Sequence, residues 1–454
     1  MHKINLDIVR EYDIRGVFSK QLFAEDAAII GKALGSKALI NGSNVINLGY
    51  DGRKSSPILK ERMVEAILST GCNVNDIGLV PSPILYFSTY SLNVDYGIII
   101  TASHNPKEYN GFKILSQKEK FYGKDLLSFA EFANKGEFKT GNGKLSKLNI
   151  LPKYFEKLKN ELANINLSSK KIAWDPACGA GAQVISDLTK DIEGDHYVIN
   201  SDIDGDFPAH EPDPTIEENL KQLRDIVQKN NCDLGIAFDG DADRIGVIDS
   251  EGEVLWGDQL VTLFARDILK KSPGAKIIAD VKASKIFKEK IREYKGVPII
   301  WKTGHSLIKA KMQEEKALLA GEMSGHIFFN DGDNFGYDDG LYAAIRLIKI
   351  ICQENISVAD FRKSLPVTYA SKEEKIPCAD KIKFKIIEKI KTLLKEQNIE
   401  FSEIDGVRVD NEAGWWLIRA SNTSPNLTTR CEADSKKNLD KLKGDIKEIV
   451  SKFI

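Results

Sequence analysis

Four times along the 454-residue chain a short apolar run ends abruptly in a polar loop containing glycine or proline. Gly97–Ile100 runs into Thr101-Ala102-Ser103-His104-Asn105-Pro106, and Leu234–Phe238 into Asp239-Gly240-Asp241-Ala242-Asp243-Arg244. Ala317–Ala320 runs into Gly321-Glu322-Met323-Ser324-Gly325-His326, and Trp415–Ile418 into Arg419-Ala420-Ser421-Asn422-Thr423-Ser424-Pro425. Such strands alternate with amphipathic segments, so the expected class is α/β with parallel or mixed sheets. In open sheets of that kind, ligands collect at loops leaving the carboxyl ends of strands. One helix is well signalled and two more are candidates. Thr215-x-x-Glu218 has the form of a capping box, followed by Ile216, Leu220, Leu223 and Val227 on one face. Leu341–Ile351 reads as a more buried helix, and Leu439, Leu442, Ile446, Ile449 and Phe453 form one stripe.

At roughly 100–200 residues per domain, length alone suggests about three domains. One ligand loop per segment makes four the better count. Breaks are expected in the polar loop Gly136–Asn149, at the strand-turn Asp249–Gly252 and near Ser364–Pro366, giving domains 1–149, 150–250, 251–366 and 367–454. With 42% hydrophobic and 29% charged residues the chain is too apolar for disorder. Sixty-four Lys and Arg against 66 Asp and Glu leave a net charge of −2, which excludes a chain-wide basic field for nucleic acid. It does not exclude a local pocket for a small anion. No run approaches the ~18 apolar residues of a membrane helix, and Asp7 arrives too early for a secretory apolar core. The six cysteines are scattered without a C-x-x-C pair and read as reduced, mostly buried thiols. A cytoplasmic protein without membrane or nucleic-acid partners is expected.

The strongest local signal is Asp239-x-Asp241-x-Asp243. Three carboxylates at this spacing repel one another unless a cation neutralises them, and oxygen ligands suit Mg²⁺ or Ca²⁺. An EF-hand fails, because its sixth position is Arg244 and its twelfth Ser250. The acidic run Asp202-Ile203-Asp204-Gly205-Asp206 reads instead as a solvated turn. Ser103 is the candidate nucleophile, without the G-x-S-x-G elbow of a hydrolase. A phosphoryl group on it would need a divalent cation and positive charge, which the Asp loop, Arg244 and Lys113 can provide. From Leu417 to Arg430 there are two arginines and no acid, which suits a phosphate cradle. Glu322, Ser324 and His326, joined by His305, suit sugar hydroxyls. No dinucleotide fingerprint or Walker loop is present.

These motifs, with Tyr12-Asp13-Ile14-Arg15-Gly16, Asp280-Val281-Lys282 and Thr303-Gly304-His305-Ser306, stand in the order and spacing of the α-D-phosphohexomutases, and the chain resembles that family along essentially its whole length. The resemblance implies three similar mixed-sheet α/β domains plus a smaller C-terminal α+β domain around a central cleft. It implies that Ser103 is the phosphoserine and that Asp239, Asp241 and Asp243 hold Mg²⁺ together with the Ser103 phosphate. Arg15, His104, Lys113, Arg244 and His326 are then the further catalytic residues. Tyr12, Lys282, His305, Glu322 and Ser324 bind substrate, and Arg419, Ser421, Asn422 and Thr423 hold the phosphate distant from the reaction.

The implied reaction interconverts hexose 1-phosphate and hexose 6-phosphate through a hexose 1,6-bisphosphate that turns end for end and also serves as primer. Met323 and the Arg-Ala-Ser-Asn-Thr cradle favour mannose or glucose over the glucosamine type. Ala209 stands where the family usually has Asn. A phosphoglucosamine mutase, a Mg²⁺-dependent sugar-phosphate phosphatase and a non-catalytic sugar-phosphate binder are the alternatives. A monomer or small homo-oligomer is expected.

Overall fold

The buried run Tyr96–Ile100 sits inside a six-stranded sheet, and every one of its residues is covered. The structure, a computed structural model, describes residues 2–332, 334–421 and 425–454. The chain packs as two compact units, Met1–Gly257 with Ser324–Phe361, and Asp258–Met323 with Arg362–Ile454.

The first unit holds two mixed sheets. The first runs in the order Ile14–Val17, Tyr109–Ser116, Tyr96–Ile100, Val45–Tyr50, Asn73–Leu79, Leu145–Lys147. Tyr109–Ser116 is antiparallel to both neighbours and the remaining pairs are parallel. The second runs Val254–Leu255, Ile245–Asp249, Leu234–Phe238, Lys171–Asp175, Asp195–Val198. It too has a parallel core extended by antiparallel strands. Helices Ala24–Ile40 and Ser56–Leu68 cover the first sheet with Ile30, Leu34, Met63 and Ile67, packed with Ile46, Leu48 and Ile98. Each such fully buried side chain contributes about 1.5–3 kcal/mol.

In the second unit, Lys276–Asp280 lies between Val297–Trp301 and Leu319–Gly321, parallel to both. An antiparallel sheet runs Tyr369–Ala370, Asn426–Ala433, Gly414–Ala420, Val407–Asn411, with Glu374–Pro377 also pairing to Asn426–Ala433. Helices Asp380–Glu396 and Lys436–Ser451 pack on it through Ile386, Ile390, Leu394, Leu439, Leu442 and Ile446, with Ile449 and Phe453 partly buried beside them. The Arg408 guanidinium lies 3.9 Å from the Trp415 ring centroid and donates to Val281 O and Ala283 O at 2.7 and 2.8 Å. That fastens the antiparallel sheet to the loop after Lys276–Asp280. Among the described residues no helix is long and apolar enough to cross a membrane.

Some local expectations need correction. Thr215 does not cap a helix: its hydroxyl donates to Asp213 Oδ1 at 2.7 Å, a 3-10 turn spans Glu217–Leu220, and the α-helix begins at Lys221. Ile216 is correspondingly exposed, whereas Leu220, Leu223 and Val227 are buried. The third apolar run forms its strand over Leu319–Gly321, later than Ala317–Ala320. Gly136–Asn149 is more than a loop, because Leu145–Lys147 adds an exposed edge strand. The helix expected at Leu341–Ile351 is present over Gly340–Gln353.

Pro208–Pro212, the segment with the unusual Ala209, is anchored by His210. Its Nε2 lies 2.9 Å from the buried Asp175 Oδ2. Burial alone lowers this imidazole's pKa, but Asp175 outweighs it and lifts the pKa above 6.5. A raised pKa means stability fully present below the unfolded value and lost as pH rises through the folded one. In urea unfolding, the advantage of wild type over His210→Gln should therefore be largest near pH 6 and fade toward about pH 8. An advantage that grows with pH contradicts this.

Candidate active site

Ser103 leaves the strand Tyr96–Ile100 in left-handed backbone geometry, φ 51°, which a non-glycine residue adopts only where its surroundings enforce it. Its N–H donates to Thr101 Oγ1 at 2.9 Å and its Oγ donates to Asp239 Oδ2 at 2.7 Å. His104 Nδ1 lies 3.2 Å from the same Oγ. The acid loop follows Leu234–Phe238 and presses its backbone against the serine loop: a Cβ on Gly240 would lie 2.5 Å from Ser103 O. Only glycine permits that approach.

Asp239, Asp241 and Asp243 are fully buried, with one oxygen from each within 4.8 Å of the others. Lys113 reaches them because its strand is antiparallel to Tyr96–Ile100, with Lys113 opposite Ile99. Its Nζ donates to Asp241 Oδ2 at 2.7 Å and to Asp243 Oδ2 at 2.5 Å. Burial alone lowers the Lys113 pKa, but Asp241 and Asp243 outweigh it and hold the ammonium well above its ordinary range. Burial likewise raises Asp241, yet Lys113 and the Ser82 hydroxyl pull its carboxyl well below the usual range. Asp239 moves the other way, lifted by burial and by the charges of Asp243 and Asp241. Among the described residues, Asp241 Oδ1 and Asp243 Oδ1 are buried and accept no hydrogen bond. Orphaned carboxylate oxygens beside a third buried carboxylate fit a hard divalent cation.

Around this centre, Arg244 N donates to Asp239 Oδ1 at 3.2 Å and Arg244 Nε to His326 Nε2 at 3.0 Å. His326 Nδ1 lies 3.0 Å from Asp338 Oδ2 and 3.5 Å from Asp243 Oδ1. Arg15 donates to Asn105 Oδ1 and to Asp13, while Tyr12 sits half-buried just before the strand Ile14–Val17. Burial, with the positive charges of Arg244 and Arg15, pushes His104 well below its ordinary imidazole pKa and keeps it neutral. Ser324 is half-buried, and Gly325 packs so that a Cβ would meet Ile245 O at 2.4 Å.

The second unit gathers the other expected residues. Glu322 is buried, and its Oε1 accepts from Gly304 N at 2.6 Å at the N-terminus of the helix His305–Glu315. His305 is the first residue of that helix, whose positive end favours a carboxylate. Lys282 Nζ is 3.2 Å from Glu373 Oε2 and 3.7 Å from Asp280 Oδ2. Burial works against its charge, but Glu373 and Asp280 together raise its pKa. Arg419 Nε donates to Asp405 Oδ2 at 2.9 Å, and Ser421 O accepts from Lys383 Nζ. Asn422 and Thr423 lie outside the described residues.

Three acids had no role assigned from the sequence. Asp280 accepts from Met323 N and Thr303 Oγ1 at 3.2 and 3.1 Å, tying three loops together. Asp338 beside His326 and Asp405 beside Arg419 carry no local motif. Only Asp280 had one, in Asp280-Val281-Lys282.

A serine hydroxyl bonded to the first of three buried carboxylates, with Lys113 and Arg244 against the same acid loop, is chemically suited to metal-assisted phosphoryl transfer. Models of the four phosphoglucomutase/phosphomannomutase domains match in order: alpha/beta/alpha domain I at residues 7–128, II at 152–252, III at 256–369 and the C-terminal domain at 373–449. The phosphomannomutase/phosphoglucomutase of Pseudomonas syringae pv. tomato is 40% identical over 437 residues, covering 96% of this chain and 93% of that protein. A phosphoglucomutase of Neisseria meningitidis is 36% identical over 455 residues, covering 99% and 98%. The crystal structure of a phosphoglucomutase/phosphomannomutase family protein from Burkholderia thailandensis superposes with a TM-score of 0.91 at 35% identity, covering 98% of this chain and 97% of that one. The chain belongs to the phosphoglucomutase/phosphomannomutase family and is an enzyme of phosphoryl transfer.

Proposed function

We propose that this enzyme interconverts the 1- and 6-phosphates of mannose and glucose, with Ser103 as the phosphoryl carrier. The observation that carries this is Ser103 Oγ held 2.7 Å from the first of three buried carboxylates, two of which have orphaned oxygens. In the forward half-reaction the Ser103 Oγ–P bond breaks and a bond from phosphorus to the free sugar hydroxyl oxygen forms. The hydroxyl proton passes to a base, for which His104 and His326 are the candidates. The hexose 1,6-bisphosphate then reverses and returns its other phosphoryl group to Ser103. Asp239, Asp241 and Asp243 would hold Mg²⁺, which supplies positive charge for the phosphoryl oxygens. Lys113, Arg244 and Arg15 stabilise the same oxygens by charge. Tyr12, Lys282, His305, Glu322 and Ser324 bind the sugar, and Arg419, Ser421, Asn422 and Thr423 bind the non-reacting phosphate. The four-segment division at 149, 250 and 366 and a cytoplasmic location complete the reading.

Met323 and the cradle Arg419-Ala420-Ser421-Asn422-Thr423 favour mannose and glucose over glucosamine. The test is a coupled assay on the 1-phosphates of the three sugars, with Mg²⁺ and a trace of hexose 1,6-bisphosphate. Mannose and glucose 1-phosphates should turn over at least about tenfold faster than glucosamine 1-phosphate, without release of inorganic phosphate. Stoichiometric phosphate release establishes a phosphatase instead, and glucosamine preference overturns the substrate assignment.

A further inference from the structure

The serine loop has no regular secondary structure, yet it must present one oxygen to the acid loop with little freedom. Arg53 accounts for that. It is almost wholly buried, and all five guanidinium N–H groups have an acceptor at hand. Nε donates to Asp51 Oδ2 at 3.2 Å. Nη2 donates to Ser103 O at 2.7 Å and Asn105 O at 2.6 Å. Nη1 donates to Pro106 O at 2.8 Å and Tyr109 O at 3.1 Å. Asp51 is itself fixed, accepting from Arg53 N at 3.0 Å and Ser56 Oγ at 2.6 Å. One side chain thus pins four carbonyls of residues 103–109, including that of Ser103 with its left-handed φ.

Arg53 is covered from the other sheet of the same unit by the acidic run Asp202–Asp206 and Phe207. Its acids are solvent-accessible as expected, Asp202 exposed and Asp204 and Asp206 half-buried, while Gly205 and Phe207 face Arg53. The Phe207 ring centroid lies 5.0 Å from the Arg53 guanidinium carbon. Gly205 approaches so closely that a Cβ would meet Gly52 O at 2.7 Å and Arg53 Cα at 2.8 Å. Asp206 pairs with Lys54 and lies 3.6 Å from Lys107, which belongs to the serine loop's own exit. Asp204 N donates to Cys178 O at 3.0 Å, anchoring the run to the loop that follows the strand Lys171–Asp175.

We infer that Arg53 is a positioning residue for phosphoryl transfer at Ser103, and that Ile203–Phe207 is the clasp holding it. The inference rests on Ser103 being the phosphoryl carrier. Arg53 sets where Oγ stands, and in-line transfer is sensitive to that: a misplacement of about 1 Å costs on the order of 10²-fold in rate. Lysine has three donors on one atom and cannot span four carbonyls and a carboxylate.

The test compares wild type, Arg53→Lys and Phe207→Leu. Each is incubated with glucose 1,6-bisphosphate, phosphorylation of Ser103 is followed by intact mass, and kcat and KM are then measured. Arg53→Lys should lower kcat about 100-fold and slow Ser103 phosphorylation in step, with KM within about threefold. Phe207→Leu should act in the same direction by about fivefold. A folded Arg53→Lys with kcat within twofold of wild type, or a change confined to KM, overturns the inference. If Arg53→Lys does not fold, a Phe207→Leu enzyme indistinguishable from wild type overturns it. Wild type that takes no phosphoryl group on Ser103 overturns the carrier assignment itself, which separates the two failures.

Discussion

Ser103→Ala should lower turnover by at least about 10⁴-fold while the protein stays folded. The Ser103 oxygen is both the leaving group and the acceptor in the proposed cycle, so no neighbouring group shares its work. Removing a lone nucleophile of that kind costs four to six orders of magnitude, on the order of its whole covalent contribution. The structural cost is small by comparison. Alanine loses the hydrogen bond to Asp239 and fills less space, worth about 1 kcal/mol, and the strain of φ 51° is similar for both residues. The measurement is kcat in the coupled assay beside a thermal unfolding curve. Near-normal turnover from a folded variant sinks the carrier role for Ser103.

What the sequence disclosed follows from how locally each feature is encoded. The acid loop declares itself because three carboxylates at alternating positions are costly without a cation, whatever surrounds them. The strands are legible for a similar reason: Leu234–Phe238 and Trp415–Ile418 are buried on every residue and read as unbroken apolar runs. Lys113 could be proposed from its nearness to Ser103 in sequence, but its two partners lie 128 and 130 residues away. Arg53 and Asp338 were illegible because each acts on groups brought from elsewhere in the chain, and an arginine satisfied by carbonyls leaves no sequence pattern; Asp280 stood in a motif but its partners Thr303 and Met323 did not show there. The acids at 202–206 are solvent-accessible as their composition suggests, and the packing made by Gly205 and Phe207 is what composition hides. Thr215 misled in the opposite way, with a correct helix-start motif pre-empted by Asp213 two residues earlier.

Lys113→Met should produce the largest loss of stability, and one that pH and Mg²⁺ both reverse. Lys113 is buried between Asp241 and Asp243, and its removal strands two carboxylates that the fold cannot hydrate. Deleting one partner of a buried ion pair costs about 3–5 kcal/mol. In wild type the Asp241 pKa is depressed, so its contribution is present at neutral pH and is lost only as pH falls through that low folded value. In the variant the largest charge offsetting burial at Asp241 is gone, so that carboxyl rises in pKa and takes up a proton at higher pH. The stability gap between the two proteins should therefore narrow from pH 7 to about pH 5. Mg²⁺ replaces the missing charge, so at 100 times its dissociation constant it should restore about 2.7 kcal/mol at pH 7. Turnover should still fall about 10²–10³-fold, because the lysine charge near the transferring group is gone. Urea unfolding at both pH values, with EDTA and with Mg²⁺, reads out each effect. A gap unchanged by either pH or Mg²⁺ shows that Lys113 neutralises no cation-competent carboxylate pair.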